Sequence, residues 1–305
     1  MTTVQDLVED TKRITYGSMS DQLNFVAVDY VPASGELFLS MDVTPITAGM
    51  VLSSGLNVWY VIGVESNLRR VLVHPGYQNS HDAIVLTGAP VMIRPRVTDW
   101  VVFQNLNDAI RKMSSRVNGL YQSVVETVTW TPGNWDLYPL AGTNVESIVA
   151  VRYREDWWNG EWKRMPDKMW RWEPTLNAIR LIDQRSRTWN DSWGDVNTYS
   201  WGNNLEVVYR APFVQATALT DDVVVDLGLS ASMVDIPPLG AAEMLTRTTE
   251  SRRLQIHTQP DPRRADEVAA GSNASIAREL GKQFDRRCDD EYIRLVNVNP
   301  WMQSL

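Results

Sequence analysis

Between Arg94 and Leu120 the chain reads RPRVTDWVVFQNLNDAIRKMSSRVNGL, and this stretch constrains the fold more than any other. Pro95 and the β-branched residues before it close an extended region. Thr98 or Asp99 can then cap the free N–H groups of a new helix. Trp100, Phe103, Leu106, Ile110 and Met113 recur at helical spacing and make one apolar stripe. Asp99 opens the helix while Arg111 and Lys112 close it, so the side-chain charges agree with the helix dipole at both ends. Ser114, Ser115 and Gly119 mark its stop. Strand-like sequence lies on both sides, and further helical pattern returns only near the two ends. A helical scaffold drawn from distant parts of the chain, with β modules inserted between its members, is the organisation this implies.

Thr2 or Thr3 can cap a first helix carrying Val4, Leu7, Val8 and Ile14, with Gly17 as its stop. That segment is too short to be helical alone in water, so it has to dock. From Leu23 to Ile93 the period is strand-like: FVAVDYV, ELFLSMDV, GMVLSS, NVWYVIGV, RRVLVHP and APVMIRP read as a small antiparallel barrel or sandwich, with Asn67 turning the chain between the fourth and fifth runs. After the central helix tryptophan crowds the sequence between Val128 and Tyr209, around the strand candidates SVVETVTW, VESIVAVRYR, AIRLID and NLEVVYRAPF. This reads as a second β module of sandwich type. Pro237 and Pro238 can start a helix that continues to Leu254, and Gly240, Ala241 and Ala242 permit close approach of another helix. A last helix spans about Ser272 to Val296, with Ile276, Leu280, Phe284, Cys288, Tyr292 and Leu295 on its buried side. The expected fold is therefore α+β: residues 1–17 a scaffold helix, 18–97 a small β-barrel, 98–119 the central scaffold helix, 120–230 a tryptophan-rich β-sandwich and 231–305 the closing helices.

Motifs for chemistry are missing from the pattern. The three histidines, His74, His81 and His257, have no nucleophile elbow or HExxH beside them. Gly281-Lys282 lacks the glycine loop of a phosphate cradle. Acids adjacent in sequence, such as Asp289, Asp290 and Glu291, point in different directions and make a poor general acid/base pair. The single cysteine, Cys288, sits on an apolar stripe as an inert thiol, and neither a disulfide nor a cysteine-based zinc cage can form. No catalytic residue, cofactor or metal is expected. Nor is a signal peptide or a stretch of transmembrane length.

A net charge of -8 disfavours a dedicated nucleic-acid binder, because phosphate affinity rests on Lys and Arg that release counterions. The tryptophans placed in polar loops, Trp157, Trp158, Trp162, Trp189 and Trp193, suit protein interfaces, where an indole buries much apolar area and keeps a polar handle. A sugar-stacking platform is the competing use.

Three segments resemble the neck proteins of tailed bacteriophages, the head-to-tail connectors or adaptors that sit below the portal. They are VQDLVEDTKRITYGS at the start, RRVLVHPGYQNSHDAIVLTGAPVMIRPRVTDWVVFQNLNDAIRKMSS in the middle, and DIPPLGAAEMLTRTTESRR with PDPRRADEVAAGSNASIARELGKQFDRRCDDEYIRL at the end. Together they cover about half the chain. The resemblance implies a structural virion protein without enzymatic turnover: a homo-oligomeric, dodecameric ring at the head-tail junction, assembled in the host cytoplasm. Its implied partners are the portal protein, the next neck or tail protein, and genomic DNA that passes through during ejection without specific binding, with no membrane contact. A neutral to acidic channel would suit that role, with Asp221, Asp222 and Asp226 as candidate lining residues. Alternatives are another virion component, such as a tail terminator or baseplate protein, a glycan-binding module, or more remotely a hydrolase built on paired acids.

Overall fold

The computed structural model describes residues 2–16, 24–31, 35–40, 43, 45–75, 90–93, 97–129, 137–142, 144–155, 162–182, 201–257 and 272–298. Helices and antiparallel sheets combine in an α+β fold. The chain divides into two compact units. Unit 1 takes residues 1–112 and 214–290, and unit 2 takes 113–213 and 291–305. The expected 120–230 module is thus trimmed at its far end: residues 214–230 fold with unit 1.

Unit 1 begins with α1 (Val4–Tyr16) and then a six-stranded barrel. Its strands are β1 (Asn24–Val31), β2 (Glu36–Leu39), β3 (Val51–Ser54), β4 (Asn57–Glu65), β5 (Arg70–Pro75) and β6 (Pro90–Ile93). The order β1-β2-β5-β4-β3-β6 closes on itself through the antiparallel β6–β1 ladder. Leu37, Leu39, Leu52, Trp59, Val61, Val71, Val73 and Val91 fill the interior. Alternation puts these residues inward, since successive side chains on a strand face opposite ways. The β4–β5 connection is a short 3-10 turn at Ser66–Leu68, and Arg69 rather than Asn67 adopts the left-handed conformation there. Gly35 is required by contact: a Cβ on it would lie 2.5 Å from the Val73 carbonyl oxygen.

The helices of unit 1 are α1, most of α2 (Asp99–Ser115), α3 (Ile236–His257) and most of α4 (Ser272–Val298). Thr98 caps α2, its Oγ1 accepting the Val101 N–H at 3.4 Å. Val102, Phe103, Leu106, Ala109 and Ile110 are buried on α2, which adds two small or β-branched positions to the expected stripe. α1 packs against α3 and is also tied to α2 by the Lys12–Asp99 ion pair. On α1 the buried seam is Val4, Leu7, Val8 and Thr11, whose hydroxyl donates to the Leu7 carbonyl at 2.7 Å; Ile14 lies outside it. On α4 the seam runs through Ala277, Gly281, Phe284 and Cys288, and Ile276, expected inside, is 52% exposed. Small residues win the buried positions because α3 and α4 approach closely there. A Cβ on Gly281 would lie 3.1 Å from Glu243 Oε1, and one on Gly240 would lie 2.8 Å from the Phe284 ring.

Unit 2 is a sandwich. One sheet has the order β10-β9-β13-β7, made of β7 (Gln122–Thr129), β9 (Ser147–Glu155), β10 (Trp162–Arg164) and β13 (Trp201–Ala211). The other has the order β11-β12-β8, made of β8 (Leu137–Pro139), β11 (Trp170–Glu173) and β12 (Ala178–Leu181). Tyr138, Ile179 and Leu181 from one sheet and Val128, Ile148, Val151, Leu205, Val207 and Tyr209 from the other form one core, with Met165 beside them.

Candidate protein interface

The tryptophans divide by strand register. On β11, Trp170 and Trp172 alternate with Arg171 and pack against the sandwich core. Trp162 lies on a strand and not in a loop: β10 is three residues long, all three are exposed, and among the described residues it pairs only with β9. Trp157, Trp158, Trp189 and Trp193 lie outside the described residues.

The outer faces of unit 2 are rich in arginine. In the β9–β10 ladder Arg164 stands opposite Arg152, and directly opposed residues share a face of the sheet. Each has its own acid: Arg164 pairs with Asp167 at 3.2 Å and Arg152 with the buried Glu206 at 3.3 Å. In the other sheet Arg171 opposes Arg180, and Glu173 Oε1 lies 3.8 Å and 3.3 Å from them. Like charges facing each other would destabilise the ladders without those acids. Each outer face thus carries arginines matched by acids, and the β10–β9 face also carries the exposed indole of Trp162. Matched charges beside an exposed indole suit a protein contact better than a phosphate backbone.

The acids expected in a channel have a different local duty. Asp221 Oδ2 accepts the N–H of Thr217 at 2.7 Å, that of Ala218 at 2.8 Å and the Thr217 hydroxyl at 3.1 Å. These bonds, the backbone donor of Ala218 first, hold its carboxyl below the usual carboxylate range. Asp222 is buried and its Oδ1 accepts the N–H groups of Val224 and Val225, both at 2.8 Å. Asp226 remains exposed, although its Oδ2 takes the Asp222 N–H at 2.7 Å.

That loop receives the start of α1. Val4 N–H donates to the Asp221 carbonyl at 3.0 Å and Gln5 N–H to the Leu219 carbonyl at 2.9 Å. The next N–H, of Asp6, goes to Thr3 Oγ1 at 3.4 Å, and Asp6 Oδ2 accepts the Thr3 N–H at 2.7 Å in return. The free donors of the first turn are thereby satisfied by residues more than two hundred positions away and by a capping box. Asp6, bound mainly by the Thr3 backbone N–H, is also held below the usual carboxylate range.

A buried carboxylate escaped the sequence reading. Glu243 on α3 is 1% exposed, with Lys112 Nζ 3.0 Å from Oε2 and Arg247 Nη2 2.5 Å from Oε1. Lys112 also lies over the Phe284 ring, 4.9 Å from its centroid. One glutamate between apolar positions reads as a solvated residue, so only the adjacent Gly240-Ala241-Ala242 signalled a tight contact. The run Asp289, Asp290 and Glu291 also divides: Glu291 is buried and paired with Arg294 at 2.5 Å, whereas Asp290 is exposed. Cys288 is a buried thiol outside any disulfide. Among the described residues no group of three His, Cys, Asp or Glu side chains is placed to hold a metal, and no helix is long and apolar enough to cross a membrane.

No protein-family model and no curated protein sequence matches the chain.

Proposed function

We propose that the chain is a structural virion protein, a head-to-tail adaptor of the phage neck that forms a homo-oligomeric ring, dodecameric by resemblance, between portal and tail. The observation that carries this reading is the discontinuous helical scaffold. α1 is completed by the loop after Leu219, and α2, α3 and α4 meet at Gly240 and Glu243 although the barrel is inserted between α1 and α2. The segments that resemble neck proteins supply these helices. Barrel and sandwich then serve as contact modules that differ in chemistry. Nearly all of the net charge falls in unit 1, whereas the sequence of unit 2 is close to neutral.

In this role the protein works by shape. DNA would pass a lumen with few basic contacts, and of the aspartates first considered for it only Asp226 presents an exposed carboxylate. Trp162, with any interface partners among Trp157, Trp158, Trp189 and Trp193, would contact the neighbouring copy or the next component.

The experiment is electron microscopy of the purified protein, alone and mixed with portal. Rings that cap the portal are expected. Rings that bind a tail component and leave the portal bare would place the protein elsewhere in the virion. Saturable oligosaccharide binding lost on Trp157→Ala or Trp193→Ala would replace the reading with a glycan-binding one.

A further inference from the structure

Among the described residues the sandwich has four sheet edges, and three of them are blunted. β8 is three residues long and ends in Pro139, which has no N–H to offer. β10 is also three residues long and carries Lys163 and Arg164. β11 has four residues, exposes Arg171 and runs into Pro174. Short strands, charge and proline are the devices by which proteins stop edges from pairing with other chains.

β7 has none of them. It runs for eight residues, its ladder with β13 pairs Gln122–Thr129 without a register shift, and it contains no Lys, Arg or Pro. Among the described residues no strand lies on its other side. Its exposed side chains are Ser123, Val125, Thr127 and Thr129, all uncharged, and Val125 is 56% exposed. The one charge of the strand, Glu126, points the other way and is held by the Ala141 N–H at 2.6 Å. A long, straight, uncharged edge with an exposed valine at its centre is a template for strand addition.

We propose that the β7 edge docks the β7 edge of a second copy, antiparallel about a two-fold axis at Val125. A row bearing no charge on its exposed side meets no like charge when it faces itself. The Val125 register sets the two exposed valines together, places Ser123 opposite Thr127 and Val124 opposite Glu126, and overlaps the strands from Gln122 to Val128. Shifting the axis to Glu126 would set two carboxylates face to face; shifting it to Thr127 would shorten the overlap. A two-fold contact uses the same patch on both copies and cannot alone propagate round a ring. The inference therefore stands apart from the adaptor reading. Edge pairing buries less than a standard interface, so the dimer should be weak, with a dissociation constant on the order of micromolar or above.

Cysteine cross-linking of the full chain tests it, because the native Cys288 is buried and gives no background. Opposed residues in an antiparallel pair have Cα atoms about 4.5–5.5 Å apart, within disulfide range. Val125→Cys should form a covalent dimer under mild oxidation, and Thr127→Cys, whose opposite residue is Ser123, should not. Below the concentration at which rings assemble, the mass of the unmodified chain measured by light scattering should rise from one copy to two, and Val125→Lys should weaken that association at least tenfold. A chain that stays monomeric at high concentration, or cross-linking by Thr127→Cys and not by Val125→Cys, would overturn the proposal. Either result leaves portal binding as a separate question.

Discussion

Gly240 on α3 faces Phe284 on α4 with no room for a methyl group: a Cβ built there would lie 2.8 Å from the ring and 2.9 Å from Cβ of Ala109 on α2. Three helices from three parts of the chain therefore meet at one missing side chain. Ala is the better helix former by roughly 1 kcal/mol, but overpacking a close helix contact costs about 1–3 kcal/mol. Gly240→Ala should lower stability by up to about 2 kcal/mol, read as a lower urea midpoint at unchanged slope. A midpoint that rises would mean that helix propensity wins and the helices can separate freely.

Glu243 gives a second test of the same layer through non-additivity. Its carboxylate is buried, whereas Lys112 and Arg247 keep 38% and 65% of their side-chain surface and can turn to water. Lys112→Met alone leaves Arg247 in place and should cost about 1 kcal/mol, as should Arg247→Met. The double variant leaves a buried, uncompensated charge, for which about 3–5 kcal/mol is typical. Unfolding of the four proteins of this cycle should show a double loss clearly above the sum of the single losses. Simple additivity would mean that the carboxylate finds another partner.

The junction of α1 with the loop after Thr217 should be acid-sensitive. Asp6 and Asp221 both have carboxyls held below the usual range, chiefly by backbone N–H groups of Thr3 and of Ala218. A carboxylate depressed in the folded state stabilises fully above its unfolded pKa of about 3.9 and loses that contribution as pH falls through its folded value. Protection of the Val4 and Gln5 amides, corrected for the intrinsic pH dependence of exchange, should be high at pH 6 and fall below about pH 4, before that of the barrel. Asp221→Asn should flatten this dependence. Equal protection at pH 3 and pH 6 would show that these bonds do not hold the helix.

Much of this architecture was legible from local chemistry. Thr98 and Pro237 mark helix starts because caps and N-terminal prolines act within a turn. Strand runs such as NVWYVIGV and NLEVVYRAPF were legible because alternation is also local. What was missed depends on distant partners. Size and polarity put Ile276 inside, yet the seam runs through Ala277 and Gly281, since α3 approaches too closely at Gly281 for a larger residue. Sequence pattern groups residues 214–230 with the tryptophan-rich module, and nothing in their composition shows that they cap α1. Trp162 looked like a loop residue because a three-residue edge strand has almost no periodicity. The candidate interface was legible as a tryptophan excess, while the acids that neutralise its facing arginines are set by strand register.

Asn177 offers the sharpest test within the sandwich. It is left-handed, with φ of 45°, and its amide Nδ2 donates to the carbonyls of Leu140 at 3.1 Å and Gly142 at 2.5 Å. The loop it holds is clamped from the other sheet as well: Glu126 accepts the Ala141 N–H, and a Cβ on Gly142 would lie 2.2 Å from the Tyr209 hydroxyl oxygen. Asn177→Gly keeps the backbone conformation and loses the two amide bonds, at about 0.5–1.5 kcal/mol each. Asn177→Asp is nearly isosteric and also tolerates the left-handed region, but it sets an acceptor-only carboxylate against two carbonyl oxygens. The aspartate variant should therefore be the less stable of the two near pH 7. Below about pH 4 its carboxyl gains a proton to donate, and the gap between the variants should narrow. Thermal unfolding of both at pH 7 and pH 3.5 reads this directly, and an aspartate variant as stable as the glycine variant at pH 7 would mean that the Nδ2 bonds are not what holds the loop.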